Sequence, residues 1–222
     1  MKTLPEKRQA RVAKAPDPRL RFDPAVMKLK ELPREFFRKN TAEVAKELLG
    51  AWLACRHNGA WHGARIIETE AYLGSDDDAA HSRRGRRTAR VEPMYLDGGH
   101  LYVYLVYGLH HCANVVTRTE GIAEAVLLRA AEGPVGTSAR LLSGPGRLCA
   151  AMGITSSSSG LDLLAEGDIR LFGRPGKRPD IGVSRRIGVD YAGEAAGWPL
   201  RFFDRNSPAV SGPACLRTDS LE

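Results

Sequence analysis

The sequence predicts a mixed α+β domain: one compact unit with a mostly antiparallel curved sheet, a protruding β-hairpin and peripheral helices. Three observations lead there. The 222 residues suit a single domain, large enough to bury roughly 70 per cent of the unfolded surface. Apolar runs of strand length recur at 52–57, 65–72, 101–108, 124–130, 169–172 and 187–189. Tight-turn signals such as Asn58-Gly59 separate neighbouring runs and imply hairpin links.

In chain order, residues 1–30 carry few aromatics and many charges and prolines, which predicts a mobile arm. It holds nine basic residues against three acidic ones, a local charge of +6 in a chain of net +7. The domain proper is expected over 31–211, with a loose tail at 212–222. Asn40 followed by Glu43 resembles a capping box, so a helix should run from about Thr41 to Leu49. Trp52–His57 and the run through Trp61 into Arg65–Tyr72 form a hairpin around Asn58-Gly59. The 74–100 stretch is a long loop, either a binding loop or a segment partly disordered without its ligand. Leu101–Gly108 and Leu109–Val116 make a second hairpin with Gly108 in its turn. Glu124–Ala130 is a further strand, and Ser143–Leu148 leads into a short helix ending near Met152. Ile169–Phe172 and Ile187–Val189 are expected as closing strands.

Composition narrows the function. No apolar run approaches the roughly 20 residues needed to span a bilayer, and the N-terminus lacks the apolar stretch of a secretory signal. A cytoplasmic, monomeric protein is expected, and the basic end with one basic patch is what a nucleic-acid protein would show. Cys55, Cys112, Cys149 and Cys215 show no C-x-x-C spacing, so neither a zinc site nor a disulfide framework is expected.

The chemistry concentrates between Arg65 and Tyr107. Alternation along Arg65–Tyr72 places Glu68, Glu70 and Tyr72 on one face and Ile67, Thr69 and Ala71 on the other. Two carboxylates are a poor core filling unless paired, because an unpaired buried charge costs several kcal/mol. Arg129, alone in an apolar run, needs such a partner, and Glu70 is the natural one. Asp76, Asp77, Asp78 and His81 follow, then Arg83, Arg84, Arg86, Arg87 and Arg90. Acids, a histidine and a dense positive run suggest acid–base chemistry on an anionic polymer. A metal-dependent nuclease using Asp76, Asp77, Asp78 and His81 is the alternative enzyme reading, and a damage-binding module without activity is the non-enzyme one.

ETEAY at 68–72, AAHS from Ala79, YVYLVYG at 102–108, Asn114 after the turn, and VLLRA at 126–130 together resemble the alkyladenine (3-methyladenine) DNA glycosylase family. The resemblance runs from about Phe36 to about Ser211. It implies a monofunctional enzyme of base-excision repair, without metal or cofactor, acting on double-stranded DNA that contains damaged purines. By that resemblance Glu70 is the general base, and Arg129 and the Ile187 backbone carbonyl help to hold the water. Tyr72, His81, Tyr104 and Asn114 form the base pocket, Asn114 crowding a purine 2-amino group. Tyr107 and Leu109 fill the stack. Arg83, Arg84, Arg86, Arg87 and Arg147 are the candidates for DNA backbone contact. His110 and His111 depart from the family's usual aromatics, and Arg84 adds a charge to the loop.

Overall fold

The computed structural model describes residues 14–216, which form one mixed α+β domain around an eight-stranded antiparallel sheet. Strands β1 (Trp52–His57), β2 (Ala60–Tyr72), β3 (Leu101–Val106), β4 (His110–Thr117), β5 (Glu124–Glu132) and β6 (Ile169–Phe172) run in the order β3-β4-β5-β2-β1-β6. Strands β7 (Ile181–Ser184) and β8 (Arg201–Asp204) pair with each other, and β8 joins β2. The 13-residue β2 is therefore shared: its first half pairs with β1, and its second lies between β5 and β8. That second half carries Glu68 and Glu70. Among the described residues no helix is long and apolar enough to cross a membrane.

The expected helix is α2 (Thr41–Glu47), preceded by a single turn, α1 (Arg34–Phe37). Asn40 caps α2 by accepting from the amides of Ala42 and Glu43, a contact worth about 1 kcal/mol. Val44, Leu48 and Leu49 bury its apolar face in the main core, and Thr69 Oγ1 donates to the Ala45 carbonyl at 2.9 Å. A third helix, α3 (Pro145–Met152), adds Leu148, Cys149 and Met152 to the same core. The other side of β2 is left for the polar chemistry.

Four features differ from the sequence reading. A bulge around Ile67 shifts the register of β2 against β5. Ile66 therefore joins Ala71 in the main core, while Ile67 packs with Phe203, Ala130 and Val210. Simple alternation fails at a bulge because one strand spends an extra residue there. Secondly, residues 187–189 are not a strand; β7 ends at Ser184.

Thirdly, residues 14–30 do not hang free as an arm. Leu20 is fully buried, and the Phe22 ring stacks on Trp52 at 5.2 Å. A Cβ at Gly63 would lie 2.3 Å from the Phe22 ring, so a glycine is what admits it. Burying Leu20 fully and Phe22 in part contributes about 2–4 kcal/mol, enough to hold a segment that composition alone marks as loose. Residues 1–13 of the expected arm lie outside the described residues. Fourthly, the tail is held at least to Leu216, whose carbonyl accepts from the buried Arg201; residues 217–222 lie outside the description.

Candidate active site

Glu68 and Glu70 are both fully buried, and each is paired. Glu70 Oε1 accepts from the Ile187 amide at 2.8 Å and faces Arg129 Nη1 at 3.2 Å. Its Oε2 accepts from the Tyr72 hydroxyl at 2.9 Å. A carboxylate offers about four lone-pair sites, so these three contacts leave one position, on Oε2. Glu68 Oε1 accepts from Arg129 Nε at 2.9 Å, Arg201 Nε at 2.7 Å and Ser211 Oγ at 3.0 Å, while Oε2 takes the Ser211 amide at 2.6 Å. Arg129 thus bridges both carboxylates. Burial works against its charge, but Glu70 and then Glu68 outweigh that and raise its pKa. Glu68 fixes Arg129, and Arg129 together with Ile187 fixes Glu70.

Beside Glu70 opens a cavity of about 220 Å³, lined by Tyr72, His81, Tyr104, Asn114 and Arg129 among others. This is below the usual range of about 300–1,000 Å³ for drug-sized ligands and fits one flat heterocycle. Tyr104 meets the His81 ring edge-on at 4.5 Å, and His81 Nδ1 shares a 2.7 Å hydrogen bond with the Tyr102 hydroxyl. Asn114 Nδ2 donates to the Tyr102 carbonyl at 3.0 Å, which fixes its amide at the cavity wall. Burial, followed by the charges of Arg90, Arg86 and Arg83, pushes the His81 pKa down to about 4. Burial also raises the phenols, Tyr102 to about 12, and Tyr72 upward with Glu70 as the next cause. The cavity therefore presents neutral rings beside one acid–base pair.

The hairpin of β3 and β4 stands at the rim. Tyr107 and Gly108 turn it with φ of 51° and 69°, and the Leu109 amide donates back to the Val106 carbonyl. The Tyr107 side chain is 92 % exposed and Leu109 is 75 % exposed. A non-glycine residue at positive φ costs about 1–2 kcal/mol, so the turn holds this ring outward at some expense of stability.

The sequence profile of the methylpurine-DNA glycosylase family matches residues 35–208. The chain belongs to that family. It is 47 % identical over 189 residues to a Bdellovibrio bacteriovorus protein, covering 81 % of this chain and 98 % of the relative. A Methanocella arvoryzae protein is 44 % identical over 192 residues, covering 81 % of this chain and 95 % of its own length. A protein of an Anaeromyxobacter species is 46 % identical over 181 residues, covering 82 % of this chain and 92 % of its own length. All three carry the name "Putative 3-methyladenine DNA glycosylase".

Of the residues that the family resemblance singled out, Arg129, Tyr72, His81, Tyr104, Asn114 and Ile187 line one cavity, and Glu70 lies buried directly behind it, bound to Arg129, Tyr72 and Ile187. Ile187 meets Glu70 through its amide rather than its carbonyl. The arginines are more dispersed. Arg87 is committed to Glu92 and stacked over Tyr95, and Arg84 faces Asp78 at 3.4 Å. Arg83 donates to the Asp78 carbonyl, whereas Arg147 lines a separate open dish with Arg19 and Arg140. The three consecutive acids do not converge: both Asp77 oxygens bind Arg186, while Asp76 and Asp78 face Ser75 and Arg84. Alternation alone would not find Arg186 or Arg201, but both sit next to apolar residues, the signal that singled out Arg129.

A pH dependence follows from His81. Its folded pKa lies below its ordinary value of 6.5, so the unfolded chain binds the proton more readily. The stabilisation from neutral His81 is complete above pH 6.5 and is lost as pH falls from 6.5 towards 4, by at most about 3 kcal/mol. Melting temperatures across that window should fall in the native chain, and His81→Gln should flatten the slope. An unchanged slope in the variant would assign the acid sensitivity to other groups.

Proposed function

We propose that the chain is a monofunctional DNA glycosylase that extrudes a damaged purine and hydrolyses its N-glycosidic bond. The observation that carries this reading is Glu70, held by Tyr72, Ile187 and Arg129, three donors that themselves line an aromatic cavity sized for one base. A flipped purine would lie between Tyr72 and Tyr104, with the free Oε2 position of Glu70 aimed at a water beside C1′. Glu70 takes a proton as that water adds to C1′, the C1′–N bond breaks, and the base leaves with the bonding electron pair. The carboxylate also stabilises the positive charge that develops on the sugar. Asn114 at the wall disfavours a purine 2-amino group, a penalty that the weak glycosidic bond of a cationic 7-methylguanine offsets. No lysine lies between Glu68 and Arg129, so water rather than an amine is the nucleophile and the strand stays intact. Methylated purines such as 3-methyladenine and 7-methylguanine are the proposed substrates, with hypoxanthine and ethenoadenine as neutral candidates.

The direct test is release of free base from duplex DNA carrying one such lesion, with the abasic strand cut only after alkali. Borohydride should trap no covalent complex. Release of nothing from any of the four lesions would overturn the reading.

Extrusion leaves a gap in the stack, and Tyr107 is placed to fill it. Base–aromatic stacking is worth about 1–3 kcal/mol, comparable with the few kcal/mol that unstacking costs. Tyr107→Ser should therefore weaken lesion capture strongly in a fluorescent-base flipping assay. Because the ring is exposed, stability should stay within about 0.5 kcal/mol of the native chain. A lowered melting curve with flipping intact would return Tyr107 to a packing role.

A further inference from the structure

Tyr104 lines two spaces: the base-sized cavity, and an outer groove of about 470 Å³ that Arg90 also lines. The Arg90 guanidinium lies 5.5 Å from the Tyr104 ring centroid and donates to the Leu105 carbonyl at 3.4 Å. It does not line the base-sized cavity, so its charge sits behind the wall. Arg84 and Arg87 in the same loop pair with Asp78 and Glu92, but Arg90 has no ion pair among the described residues. The opposite wall differs. Arg186 lies 4.8 Å from the Tyr72 ring, yet its charge is balanced by a bidentate contact to Asp77.

An electron-rich ring face attracts a cation, and that attraction favours a positively charged alkylated base over a neutral one. A guanidinium on the far face draws on the same ring density and repels a like charge across a wall of low dielectric constant. His81, edge-on to the Tyr104 ring, lies within reach of the same charge: after burial, Arg90 is the next cause holding its pKa down. A neutral lesion feels neither force.

We propose that Arg90 is a specificity-determining residue that holds down excision of cationic alkylpurines relative to neutral lesions. This rests on the glycosylase reading above. The cavity then selects bases by shape and hydrogen bonding more than by charge, and Tyr104 transmits the field of a residue that never touches the base.

The experiment compares the native chain, Arg90→Met and Arg90→Lys in single-turnover excision at saturating enzyme. The two substrates are 7-methylguanine, which is cationic, and hypoxanthine, which is neutral, in duplexes of matched sequence. Arg90→Met should raise the ratio of cationic to neutral rate about 3- to 10-fold, and Arg90→Lys should keep the native ratio. The His81 imidazole, titrated by NMR, should protonate at higher pH in Arg90→Met. An unchanged ratio, or both rates falling by one common factor as for a lost phosphate contact, would overturn the proposal. Arg90→Gln provides a second neutral variant if the methionine chain melts early. If the native chain releases neither base, the glycosylase reading fails; if it releases both and only the ratio stands still, the role of Arg90 alone fails.

Discussion

Glu70→Gln is expected to lower single-turnover excision about 10²- to 10⁴-fold while lesion binding persists. The amide keeps the shape of the carboxylate but loses its charge and basicity, so neither the water proton nor the developing sugar charge is served. Binding survives because His81 and Tyr104 are held by contacts that do not involve Glu70, and only the Tyr72 hydroxyl must change its partner. One local cost is foreseeable: Oε1 takes the Ile187 amide and faces Arg129, so the glutamine should place its carbonyl there and turn its NH₂ towards Tyr72. The measurement is the rate at saturating enzyme together with lesion affinity. A rate within a few-fold of the native chain would remove Glu70 from the reaction. Glu68→Gln is the contrasting variant, since its oxygens hold Arg129, Arg201 and Ser211 rather than facing the cavity.

Asp77→Asn should destabilise the fold by about 3–5 kcal/mol. Asp77 and Arg186 have fully buried side chains, and the guanidinium also donates to the Ala71 and Ala195 carbonyls at 3.0 Å. Removing the acid leaves an uncompensated charge where water cannot reach it. For a chain of this size each kcal/mol moves the melting temperature by about 2–4 °C, so a drop of roughly 10 °C is expected. The double variant Asp77→Asn/Arg186→Met should recover part of the loss, because it removes the stranded charge. A single variant melting within 2 °C of the native chain would show the pair to be dispensable.

Much of the candidate site's arrangement was legible because its residue types are costly anywhere else. Two acids beside an aromatic on one strand face, and an arginine in an apolar run, are unstable unless they meet. They do meet, in the bridge that Arg129 makes between Glu68 and Glu70. The antiparallel sheet was legible from strand-length runs and the Asn58-Gly59 turn, whose φ values of 49° and 76° suit those residues. What escaped was set by tertiary contact. The bulge at Ile67 has no local composition mark, and the anchoring of 14–30 depends on a bare backbone at Gly63 forty residues away. Arg186 escaped because its partner, Asp77, lies 109 residues earlier in a loop where solvated acids are the common case.

The partners of Glu68 set an order of assembly. Arg129, Arg201 and Ser211 lie 61, 133 and 143 residues further along the chain. At about 5–20 residues per second, a ribosome adds Ser211 roughly 7–30 s after Glu68. Until β8 is made, the carboxylate has at most one of these three partners, Arg129, beside it. A nascent chain ending before Leu200 therefore lacks two of the three partners of a fully buried acid, and the candidate site cannot close ahead of the rest. Contacts this distant in sequence also slow folding, because loop closure must come before they are gained. Completion of the candidate site is thus timed to β8, the last strand among the described residues to emerge, and chains cut short by stalled translation should be left with that site unformed.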